Sequence, residues 1–135
     1  MNRLRLALLI VFLIAGCAST WDRSEKYREY VGKQFVTRYD CDLWKMDRHQ
    51  YGVVAYVLEP AGSSVEPFGK KVAFIPVGSV VTVRSAVVRY SGGDWDYLIG
   101  ELVLPQSKET VVFEKLLGFS SVDTKEVLKH LAPAK

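Results

Sequence analysis

The chain is poor in the residues that carry out chemistry. It holds two histidines and two cysteines in 135 residues. With His49 and His130 far apart and no second thiolate near either, a zinc site lacks its usual four ligands. Asp40, Asp42 and Asp47 lie close to His49, but the stretch lacks the further carboxylates, bend glycine and terminal Glu of an EF-hand loop. These acids read as solvated surface charge. No nucleophile elbow, phosphate loop or HExxH pattern occurs. A nucleophile with its base would have to be assembled from His49 and Cys41 or an isolated serine. The residues therefore predict a non-enzymatic protein without cofactor or metal. A carboxylate-only glycosidase is the one enzymatic class they leave open.

Long apolar runs are scarce too. The longest, Leu6–Ile14, falls well short of the roughly 20 residues that a membrane-crossing helix needs. It follows a short basic start containing Arg3 and Arg5, and it ends in small residues, Ala15 and Gly16, before Cys17. A charged start, a short apolar core and small residues at the cut make a secretory signal peptide. Ile14-Ala15-Gly16-Cys17 resembles the lipobox of bacterial lipoproteins. That resemblance implies cleavage after residue 16, diacylglycerylation of the Cys17 thiol and acylation, palmitate for example, of the new amine. In a double-membraned host, Ala18 after the cysteine, where an Asp would favour inner-membrane retention, implies the outer membrane facing the periplasm. Two or more acyl chains, at about 0.8 kcal/mol per buried methylene, make such anchoring stable.

Loss of 16 residues leaves 119, enough for one domain with a modest core. The leader carries two of the 18 basic residues and none of the 15 acidic ones, so the remainder has a net charge of +1. No positive field remains to favour nucleic acid. Once Cys17 is lipidated, Cys41 stands alone in an oxidising compartment. It shares the less polar face of its segment with Phe35, Thr37, Tyr39 and Leu43 and reads as a buried thiol.

The organisation expected is a leader, 1–16; a lipidated cysteine, tether and short helix, 17–33; and a β-rich domain, 34–135. Ser24 with E-K-Y-R-E-Y predicts the helix, ended by Gly32. From Gln34 the pattern alternates with period two. Strands are expected within 34–45, 51–58, 72–75, 80–90, 94–104 and 110–114, with turns at 77–79, 91–93 and 105–109 and a loop over 61–69. Asp123 and Glu126 predict a capped C-terminal helix over Val127, Leu128 and Leu131, stopped by Pro133 and covering one end of the sheet. Together these give a mainly β fold, a small antiparallel barrel or sandwich with a helix at each end.

Aromatic residues are the remaining signal. Trp95 and Tyr97 share one face of their strand, and Leu98, Gly100 and Leu102 share the other. With Trp44 they are candidates for a platform that takes a sugar ring or an extended peptide. Ile75-Pro76-Val77-Gly78-Ser79-Val80-Val81, followed by Gly93-Asp94-Trp95 and Gly100, resembles the strand-turn-strand grammar of bacterial SH3-like barrels. That resemblance implies binding of an envelope protein or of peptidoglycan. Inhibition of a wall-degrading enzyme, through an inserted loop at 61–69, is a further expectation.

Overall fold

The computed structural model describes residues 20–47, 55–65, 69–90 and 92–135. The leader, Cys17, His49, most of the 51–55 stretch and the tip of the 61–69 loop lie outside the described residues.

Val80–Tyr90 forms β6, the longest strand, rich in β-branched residues that pack well on a pleated surface. Gly93, at φ +150°, lies in the turn into β7, Asp94–Val103. The 105–109 turn leads into β8, Thr110–Phe119, so β6, β7 and β8 make an antiparallel meander. A second antiparallel group has β3 (Cys41–Met46) between β4 (Tyr56–Pro60) and β5 (Gly69–Ile75). The groups meet at β4 and β8, which pair in parallel through Tyr56↔Phe113 and Val57↔Glu114. The sheet is therefore mixed, where an antiparallel one was expected.

Two short strands share the far side of β6. β1 (Thr20–Asp22) pairs with its C-terminal end and β2 (Gln34–Thr37) with its N-terminal end. With β9 (Leu131–Pro133) beyond β2, the result is one curled, half-barrel sheet in the order β5-β3-β4-β8-β7-β6-β2-β9, with β1 beside β6.

The segment between β1 and β2 was expected to be helical and is instead a run of turns. Its bonds run mainly i to i−3, as in Lys26 N–H to the Arg23 carbonyl and Tyr27 N–H to the Ser24 carbonyl, with one i to i−4 bond from Val31 N–H to the Tyr27 carbonyl. Ser24 caps nothing. Its hydroxyl donates to Asp22 and accepts from the Ala86 amide of β6. The turns carry Tyr27 and Tyr30 into the core, while Trp21 stays exposed.

The C-terminal helix is also shorter than expected. A 3₁₀ turn, Thr124–Glu126, is capped by the Asp123 carboxylate, which accepts from the Lys125 amide. Glu126 pairs with Lys129 instead of reaching back to the cap. The α-helix α1 covers only Val127–His130, and Leu131–Pro133 becomes β9, paired with β2. Residues read as the end of a helix thus cover the edge of β2.

The core lies in the hollow of the sheet, around Tyr27, Leu43, Ile75, Val81, Leu98 and Phe113, all fully buried. Each such side chain contributes about 1.5–3 kcal/mol over its exposed state. Gly100 allows a close approach here, since a Cβ at that position would stand 2.7 Å from Phe113 Cζ.

Candidate functional site

Three regions have the chemistry or exposure of a site: the polar mouth of the half barrel, the turn end of the meander, and the outer edge of β5.

At the mouth, Tyr39 from the bend before β3 hydrogen-bonds through its hydroxyl to Nδ1 of His130 at the end of α1, with the rings edge to face. Cys41 and Lys115 line the same space, and Lys115 Nζ lies 3.6 Å from Glu59 Oε2. The cavity they enclose is about 10 Å³, room for about one water. Burial pushes the Cys41 thiol up to about 11 and the Tyr39 hydroxyl up to about 12. Burial, with Lys115 beside it, holds His130 below its ordinary value. The thiol is thus protonated at neutral pH, the opposite of an activated nucleophile, and no substrate fits the space. Cys41 is a buried free thiol.

Two of the three acids near His49, expected as solvated surface charge, have structural partners, and one of them, Asp42, is buried. Asp40 accepts the Val77 amide at 2.8 Å, tying down the β5–β6 turn. Asp42, buried on β3, accepts the Gly62 amide and faces Lys71 at 3.7 Å. Asp47 is exposed.

Of the aromatic residues expected to form a platform, Trp95 and Tyr97 are both half-buried on β7, and Trp44 lies apart from them. Trp95 stacks on Phe119, a cross-strand partner from β8, with centroids 3.9 Å apart and planes 27° from parallel. Tyr97 has the Arg89 guanidinium over its ring at 4.6 Å. Trp44 is only 5% exposed. Its strand is three places from β7 in the sheet, about 14 Å at the usual strand spacing. Leu98, Gly100 and Leu102 do point inward, as their alternation predicts.

Beside Tyr97, Arg89 and Glu114 form a buried ion pair, Nη1 to Oε2 at 2.6 Å. The contact is close but misaligned, and neither atom has a hydrogen bond. Burial raises the Glu114 carboxyl above its ordinary value despite the arginine. No sequence pattern announced this pair.

β5 is the other surface missed by sequence reasoning. Among the described residues it pairs only with β3, which leaves its outer edge without a strand partner. Val72 and Phe74 stand exposed on it, and Val77 is exposed in the turn beyond. A groove of about 430 Å³ runs between this edge and Leu104–Ser107 of the β7–β8 turn. At the start of the edge, the register sets Lys70 opposite Lys45, both exposed. Exposed β-branched and aromatic residues on a sheet edge could have flagged β5, but its position at the edge is not a local property of sequence.

Among the described residues, no helix is long and apolar enough to cross a membrane. No family model matches the chain, and neither curated proteins nor solved structures include a significant match.

Proposed function

We propose that this chain is a lipid-anchored protein of the cell envelope, in the outer membrane and facing the periplasm, and that it works by binding another polypeptide rather than by catalysis. The leader and Cys17 support the location. The apolar edge of β5, unpaired among the described residues, is the observation that carries the mode of binding. An extended segment adding to such an edge takes its affinity from main-chain hydrogen bonds and its selectivity from alternate side chains. Val72, Phe74 and the adjoining groove favour apolar residues at alternate positions. Lys45 and Lys70, like charges directly opposite, favour an acidic residue at one end, because it relieves their repulsion. The occupant is therefore an extended, apolar segment of an envelope protein with an acid at one end.

The meander with glycines in its turns supports an SH3-like reading, and the parallel β4–β8 joint departs from it. A peptidoglycan-binding role would rest on Trp95 and Tyr97, with Phe119 added and without the buried Trp44. Inhibition of a wall-degrading enzyme has less support, since Gly69 already begins β5 and shortens the loop.

A photocrosslinking amino acid at position 74 tests the edge in intact cells, with position 28 as an exposed control. The expected result is one envelope protein captured from position 74 only. A peptide of its crosslinked segment should then bind at least ten-fold more weakly to Phe74→Lys and Lys70→Glu. Equal capture from both positions, or undiminished peptide binding by the variants, overturns the reading.

A further inference from the structure

The direction of β1 fixes which end of the domain meets the membrane. Thr20 pairs with Arg89, Trp21 with Val88 and Asp22 with Val87. The chain therefore enters β1 at the C-terminal end of β6, beside the turn into β7. Only residues 18 and 19 separate Cys17 from Thr20. Three Cα steps span at most about 10 Å, comparable to the interfacial layer of about 5–8 Å between hydrocarbon and water. A tether of that length cannot let the domain stand off or turn over.

Among the described residues, the same end carries most of the large exposed aromatic side chains. Trp21 is 52% exposed, Tyr90 62% and Phe119 52%, and Trp95 stacks on Phe119. The register places them around one rim. Trp95 lies opposite Arg89 and Phe119, while Tyr90 lies opposite Asp94. Among the described residues, the other large exposed side chains are aliphatic apart from Phe74, on β5, the β5–β6 turn, β6, the far end of β7 and β8.

We infer that this rim, Trp21, Tyr90, Trp95 and Phe119, lies in the lipid headgroup layer and fixes the orientation of the domain on the bilayer. The inference rests on the anchored reading above. Trp and Tyr have amphipathic rings that settle at the membrane–water interface, and a rim held there by acyl chains pays little of the entropy of finding it. Asp22 and Asp94 are exposed at the same end, so attraction to anionic lipid is not what holds it. The contact is apolar and insensitive to salt.

The test uses the full chain, processed in cells, purified from membranes and reconstituted in phosphatidylethanolamine–phosphatidylglycerol vesicles. The lipids carry bromine high on the acyl chains to quench nearby tryptophan. Intact mass reports acylation of Cys17 independently. The expected result is at least two-fold quenching in the wild type, unchanged by 0.5 M salt. In Trp21→Phe/Trp95→Phe the remaining signal comes from the buried Trp44 and should not be quenched. An acylated protein quenched no more than this double variant overturns the inference and leaves the anchor standing. Absence of the acyl mass overturns the anchored reading and the inference with it. Quenching that is absent while sacculi retain the protein through Trp95 assigns the rim to glycan, which also overturns it.

Discussion

Lys26 Nζ lies 2.6 Å from Oδ2 of Asp96, and this contact pins the turn segment between β1 and β2 into the end of the half barrel. Asp96 is fully buried. It also accepts from the Tyr27 hydroxyl at 2.7 Å and from Ser120 Oγ at 2.7 Å, and Arg23 Nε stands 3.9 Å away. Burial alone would raise its carboxyl. The hydrogen bonds from Lys26, Tyr27 and Ser120 outweigh that and hold it below its ordinary value. Removing Lys26 leaves a buried charge without its main partner, so Lys26→Met should cost about 3–5 kcal/mol. Asp96→Asn keeps the shape and loses the charge, and should cost about 1–3 kcal/mol. Urea denaturation of both variants checks the order; equal, small losses would show that the network does not hold the segment.

His130 sets a pH dependence. Its folded pKa lies below its ordinary value because burial, with Lys115 nearby, disfavours the charged ring. A group depressed in this way is a base that the unfolded chain protonates first. Its contribution is full above its unfolded pKa of about 6.5 and declines as pH falls below it. Thermal melts from pH 7.5 to 5.5 should show a falling Tm. In His130→Gln, which can still hydrogen-bond Tyr39, the slope should flatten. An unchanged slope would place the dependence elsewhere.

The Arg89–Glu114 pair should show strong coupling. Each charge is buried and has the other as its ion partner. Arg89→Met or Glu114→Leu alone should cost about 3–5 kcal/mol, while the double variant should be close to wild type, since a misaligned buried pair is often replaceable by apolar packing. A double-mutant cycle in urea gives the coupling directly. Additive losses would mean that the two side chains act through separate neighbours.

Gly100 tests the close approach of β7 and β8. An added methyl would meet Phe113 at 2.7 Å and Val81 Cγ1 at 3.2 Å, both in the core. Gly100→Ala should therefore destabilise by about 1–3 kcal/mol through overpacking. Gly100→Ala/Phe113→Leu should recover part of that loss. Recovery in a thermal melt would locate the clash on the Phe113 ring.

Much of the meander was legible before the structure. Val80–Tyr90 is rich in β-branched residues and lies between turn residues, and both of its ends agree with β6. What failed were segments whose partners are distant. Ser24 to Tyr30 has helical propensity, but Ser24 Oγ is taken by Ala86 and Tyr27 by Asp96, neither of which leaves a local trace. Leu131 continues a helical apolar side in sequence, yet pairing with Thr37 wins. The stretch 17–33 was read as tether and helix without a strand, and β1 falls inside it, because the strand partner of Trp21 lies far along the chain at Val88. Trp44 was read as available because aromatic composition says nothing of depth. The Arg89–Glu114 pair and the free edge of β5 depend on sheet order, which period-two alternation does not encode.

The parallel joint between β4 and β8 has a kinetic consequence. Tyr56 and Phe113 come from the two ends of more than fifty residues of chain, whereas β6, β7 and β8 are joined by tight turns. Loop-closure entropy opposes the long connection before any contact rewards it. The meander should therefore assemble first, and the joint should close after the rate-limiting barrier. Val57→Ala on β4 should speed unfolding and leave the folding rate nearly unchanged, while Val83→Ala on β6 should slow folding. The two halves of the sheet are then partners in stability but not in time.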